Sequence, residues 1–157
     1  MKTSDSQHID EAKHYIYSID FSPIINKMVS HLGWRQRDAE KVCELYRNFL
    51  FLQKKYGHDK SLPPSEEIDE CWHNHILDTK KYRHDCEMIF GQYLDHYPYF
   101  GIDGKSDLND LNNAFECTQD LHVKEFGYRI ERVRKLKLTE LLPAILKAIK
   151  LSLHSAK

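Results

Sequence analysis

Between Gln36 and Tyr56 the apolar residues fall three and four apart. Ala39, Val42, Cys43, Tyr46, Phe49, Leu50 and Tyr56 follow that spacing. A repeat of this kind puts one apolar stripe on an α-helix and cannot form the alternating face of a β-strand. Glu40, Glu44, Arg47 and Lys54 fall mostly on the other side, and Gly57 can close the helix. A helix of this length demands neighbours that cover its stripe, and the rest of the chain supplies them.

Helical spacing recurs throughout. Ile9, Ala12, Ile16 and Ile19 predict a short helix over residues 9–18. A second is expected from Asp20 to Leu32, with Ser22 as its cap, Pro23 in its first turn and Gly33 as its stop. After a loop ending at Pro63-Pro64, Ser65 can cap a helix whose first turn carries Glu66, Glu67 and Asp69. It is expected to stop near Leu77. Asp78 then caps another, about Thr79 to Asp95, with Tyr82, Cys86, Ile89, Phe90 and Tyr93 on its apolar side. Asp107 opens a helix to about Phe126 whose inner stripe is Leu108, Leu111, Phe115, Thr118 and Leu121. Thr139 caps a last helix with Leu142, Ile145, Leu146, Ile149 and Leu153 on one face. No stretch shows period-2 alternation bounded by turns. The expectation is an all-α, single-domain helical bundle of about five to seven helices. Within it, residues 1–33 form N-terminal helices packing on the bundle. Residues 34–127 form the helical core, and 128–157 a basic connector with an amphipathic final helix.

Charge narrows the function. With 23 basic and 24 acidic residues the net charge is -1, without the basic excess of a dedicated nucleic-acid binder. No run approaches the roughly 18 apolar residues of a membrane span, and the polar start from Met1 to Glu11 lacks a signal-peptide core. A cytoplasmic protein with protein partners is the expectation. Its four cysteines, Cys43, Cys71, Cys86 and Cys117, form no CxxC pair and read as buried thiols.

The densest potential chemistry lies between Asp69 and Cys86. It comprises His73, His75 and His84, Cys71 and Cys86, Asp69, Asp78 and Asp85, with Trp72 and Tyr82. Three readings compete. An HxH pair grips one ion on a strand, but on a helix His73 and His75 point about 200° apart. The helical alternative is i, i+4, which Asp69 with His73 satisfies. A zinc or iron site built on Asp69, His73, His75 and His96, with Asp85 as a further candidate, is one reading, and it could serve a metal-dependent hydrolase. A second makes Asp69, His73, His75 and Tyr82 a structural polar network that locks a helical hairpin. In that reading, which leads with the metal site as its alternative, the protein is a non-enzymatic interaction or regulatory domain. A third uses Cys71 or Cys86 as a nucleophile beside a histidine, but no oxyanion element accompanies them. Trp34 and Trp72 read as core. Tyr97, Tyr99 and Phe100 form an aromatic turn that closes the hairpin or presents an interaction surface. Arg132, Arg134, Lys135 and Lys137 read as a solvated basic face.

These motifs resemble the glycine-rich domain-containing protein-like family over roughly residues 34–127. Trp34, Ala39 and Tyr46-Arg47-Asn48-Phe49-Leu50 open the likeness, and Trp72-His73-x-His75-x-Leu77-Asp78-Thr79 is its most specific part. The hallmark positions are Asp69, Trp72, His73, His75, Leu77, Tyr82, Asp85 and Cys86. The resemblance implies a small helical domain of bacteria, fungi and plants with no established reaction. In plant members it precedes a glycine-rich tail and sometimes an RNA-recognition domain. This chain has six glycines and neither module, so their roles do not transfer. It departs from the pattern at His122, where an aromatic such as tyrosine is expected.

Overall fold

The computed structural model of the chain describes residues 2–101, 104–105 and 107–134. Among them are six helices and no strand: α1 (Lys2–Ser18), α2 (Ser22–Leu32), α3 (Gln36–Tyr56), α4 (Glu66–Leu77), α5 (Thr79–Phe90) and α6 (Leu108–Phe126). The fold is all-α. The expected final helix from Thr139 lies outside the described residues, as do Lys135 and Lys137.

The long stripe of α3 forms the centre. Ala39, Val42, Tyr46, Phe49 and Leu52 are fully buried, and α1, α2, α4 and α6 all pack on α3. Helix α5 lies against α1 and α4. One apolar cluster runs from Ala12 on α1 to Ile130 beyond α6. Arg47 joins the elements by a polar route: its guanidinium donates to the carbonyls of Ile16 and Ile19, 2.7 Å each, and lies over the Phe21 ring. Those carbonyls lie in the last turn of α1 and just beyond it, where helical hydrogen bonding gives out.

Several boundaries differ from expectation. Helix α1 begins at Lys2 rather than near residue 9, its polar first turns supported by a bond from Gln7 to Glu11. Ser22 does not cap α2; it is the first helical residue, and its N–H bonds the Asp20 carboxylate. Helix α5 stops at Phe90, not Asp95, because Gly91 turns left-handed (φ 69°) and bonds back to Glu87. Ser65, Asp78 and Asp107 each accept a backbone N–H at a helix start, as expected.

The buried face of α6 is also rotated. Leu108 is exposed, and Leu111, Phe115 and Leu121 are only half-buried. Thr118, Gln119 and His122 are the buried residues. The reason is hydrogen bonding. His122 donates from Nδ1 to the Tyr128 carbonyl (2.7 Å) and accepts at Nε2 from the Asn48 amide (3.1 Å). Gln119 pairs both ways with the backbone of Ile130. A polar face satisfied in this way can be buried where periodicity of apolar residues would not place it.

No described helix is long and apolar enough to cross a membrane.

Candidate functional site

Helix α4 carries the histidine motif, and its two sides face different surroundings. Residues 73 and 75 are both helical, so their side chains diverge. His75 points into the core and is 1% exposed. Its Nε2 donates to Asp85 Oδ2 (3.0 Å), and its Nδ1 accepts from the Tyr46 hydroxyl (3.0 Å). Both ring nitrogens are therefore engaged. Asp85 also accepts from Tyr15 (2.7 Å) and lies 3.3 Å from Lys81 Nζ. Burial alone would raise the Asp85 carboxyl. The bonds from His75 and Tyr15 and the Lys81 charge outweigh it and hold the group below its usual range. Trp72 adds a second buried link, donating to the Tyr82 hydroxyl (2.8 Å), which donates in turn to the Leu94 carbonyl (2.7 Å).

Two earlier expectations therefore change. His75 has no nitrogen left for an ion shared with His73, and Asp85 is engaged with His75. The buried network consists of Tyr15, Tyr46, His75 and Asp85, with Trp72 and Tyr82 beside it. Asp69 and His73 do not belong to it. Tyr15 and Tyr46 escaped the sequence reading because their partners are far along the chain. The one available signal was a hydroxyl on an otherwise apolar stripe.

The outer side of α4 is different. Asp69 and His73 stand one turn apart, with His73 Nδ1 3.7 Å from Asp69 Oδ2. That separation is too long for a hydrogen bond. His96 reaches them from the segment after α5, not from a helix, and its Nε2 is 2.7 Å from Asp69 Oδ1. The imidazoles of His73 and His96 have centroids 4.5 Å apart, and Trp72 packs on His96 at the same separation. One donor atom from each of Asp69, His73 and His96 lies within 4.8 Å of the others, and this is the one such group among the described residues. His73 is about half exposed (49%), Asp69 31% and His96 13%. Beside them opens a cleft of about 470 Å³, walled in part by Trp72, Leu94, Tyr97, Phe100 and Leu111, with Asp69 and His96 on its surface.

The remaining motif positions separate in the same way. Leu77 ends α4 and is 69% exposed, so it contributes little to the core. His84 is exposed, edge-on to Tyr15. Tyr97 and Tyr99 are exposed and meet edge to face, while Phe100 is half-buried along the cleft. Cys71 and Cys86 are buried. A hydrogen bond with Cys43 and burial push the Cys71 thiol well up; burial does the same at Cys86. Nucleophilic thiols need the opposite, an accessible setting that favours thiolate.

The model of one protein family, described as UCP032817-like, matches residues 11–149. No curated protein and no solved structure gives a significant match.

Proposed function

The chain belongs to the UCP032817-like family, and from that premise and the outer face of α4 we propose that it is a divalent-metal-binding helical domain. Asp69, His73 and His96 hold the ion beside the cleft, whose wall includes Asp69 and His96. The carrying observation is the convergence of two imidazoles and one carboxylate from two separate segments. Nitrogen and carboxylate donors suit zinc or iron. Ligands about 2.1 Å from a tetrahedral ion stand roughly 3.4 Å apart, so small side-chain rotations would close this group around one. The ion would replace the direct Asp69–His96 bond. Three protein ligands leave a position for water or for a group bound in the cleft, the arrangement that metal-dependent hydrolysis uses.

Equilibrium dialysis of the untagged protein against zinc(II) and iron(II), read by mass spectrometry of metal content, tests the proposal. One ion per chain is expected in wild type and in a His58→Ala control, with loss in His73→Ala and His96→Ala. A wild type that retains no ion above the control background overturns it.

A second reading has its own support. Tyr97 and Tyr99 project from the turn at 57% and 58% exposure, as in a non-enzymatic interaction surface for a protein partner. Loss of partner binding in Tyr97→Ala/Tyr99→Ala, with metal content unchanged, would favour it.

A further inference from the structure

We propose that Cys43 and Cys71 are a site of disulfide formation that staples α3 to α4. Their sulfurs lie 3.2 Å apart, though the residues are 28 positions apart in sequence. Both side chains sit in the apolar core, at 2% and 0% exposure. The bond requires the sulfurs to close from 3.2 Å to about 2.05 Å, a small movement between two packed helices. The other cysteines are placed differently. Cys86 is on α5, its sulfur beside the Tyr82 hydroxyl and the Leu94 backbone, and Cys117 is half-buried on α6.

A fixed cation accompanies the pair. Arg47 follows Cys43 by one turn of α3 and is held in place by the carbonyls of Ile16 and Ile19. Its field favours negative charge at Cys71, but the hydrogen bond with Cys43 and burial outweigh it and leave that thiol well up.

The oxidant is a low-molecular-weight disulfide. A cysteine thiolate attacks one of its sulfurs, forming a mixed disulfide and expelling one small thiolate. The second cysteine then displaces the other, so two protons and two electrons leave the protein on two small thiols. The folded core has no room for the mixed disulfide, so the exchange takes place when the α3–α4 contact opens. Closure then buries the product away from reductant.

The test uses the full chain, reduced, then exposed to oxidised glutathione in native buffer with chelator present. Acid quenching, denaturation, alkylation and peptide mass spectrometry follow. The expected product is a Cys43–Cys71 linked peptide with Cys86 and Cys117 alkylated. The oxidised protein should melt roughly 5–10 °C higher than the reduced one. In Cys71→Ala the oxidant should leave the melting temperature unchanged. Four alkylated cysteines after treatment, or a link through Cys86 or Cys117 instead, overturns the proposal. The mass spectrum of wild type decides this even where the variant fails to fold.

Discussion

The carboxylate of Asp85 gathers donors from three elements: Tyr15 on α1, His75 on α4 and Lys81 on its own helix. Removing His75 would leave this charge buried with one fewer donor and the Tyr46 hydroxyl without its acceptor. Leaving a buried group short of a hydrogen-bond partner costs about 1–3 kcal/mol. His75→Ala should therefore lower unfolding free energy by about that amount in urea titrations while leaving the proposed metal site at Asp69, His73 and His96 unaffected. A cost below about 1 kcal/mol would show that water substitutes readily. The acid side follows from the same group. Asp85 titrates below its usual range in the folded protein, so the unfolded chain takes up this proton first as pH falls. Its contribution is complete above the ordinary carboxylate pKa of about 3.9 and is lost as pH drops through the folded value. Asp85→Asn should remove that component of acid unfolding. The i, i+4 pair of Asp69 and His73 was legible because helical spacing alone places them together. The partners of His75 were not, since nothing local links position 75 to Tyr46.

At the scale of elements, three helix starts were legible. Ser65, Asp78 and Asp107 stand at the boundaries their chemistry implies, because capping is decided within a few residues, whereas Ser22 lies inside α2 and Gly91 ends α5 before Asp95. The face of α6 was not legible. Its burial depends on Asn48, Tyr128 and Ile130, which reach it from α3 and from the segment beyond its own end. That segment is held elsewhere by Glu67, which accepts the N–H groups of Val133 and Arg134 at 2.8 and 2.7 Å. His122 titrates below its ordinary value, chiefly through burial. The unfolded chain therefore binds this proton more readily, and stability falls as pH drops below about 6.5 towards the folded pKa. A series of thermal melts between neutral and mildly acidic pH should show that slope in wild type. It should be absent in His122→Gln, whatever that substitution costs at neutral pH. A wild-type stability flat across the interval would remove His122 as its source. Tyr82 ties α4 to the segment after α5. Tyr82→Phe leaves the Trp72 indole N–H and the Leu94 carbonyl unpaired, and should cost roughly 1–3 kcal/mol in denaturant.

Across the whole molecule, α4 separates two environments. Its inner side is cemented into α3 and α5 by Cys71, Trp72 and His75, while its outer side presents Asp69 and His73 to His96 and the cleft. A rigid inner side fixes the position of the two outer donors, and Trp72, whose indole is anchored through Tyr82, supports the His96 ring from behind. Sequence reading placed the motif on a helix, and from the helix alone followed the divergence of His73 and His75. The third donor was harder to place, because His96 lies beyond the helix end that Gly91 dictates and its return to α4 is a tertiary event. An ion held at this point, as proposed, would bridge α4 to the returning segment and so favour the folded chain. Binding of that kind stabilises by RT ln(1 + [L]/Kd), about 2.7 kcal/mol at a hundredfold excess over Kd. Added zinc should therefore raise the wild-type melting temperature in a concentration-dependent way, and chelator should reverse it. His73→Ala, which removes a half-exposed side chain with no hydrogen bond to Asp69, should fold almost as stably as wild type yet show no response to zinc. A zinc-induced shift of the same size in His73→Ala would place the ion elsewhere on the protein and return Asp69 and His96 to a purely structural pair.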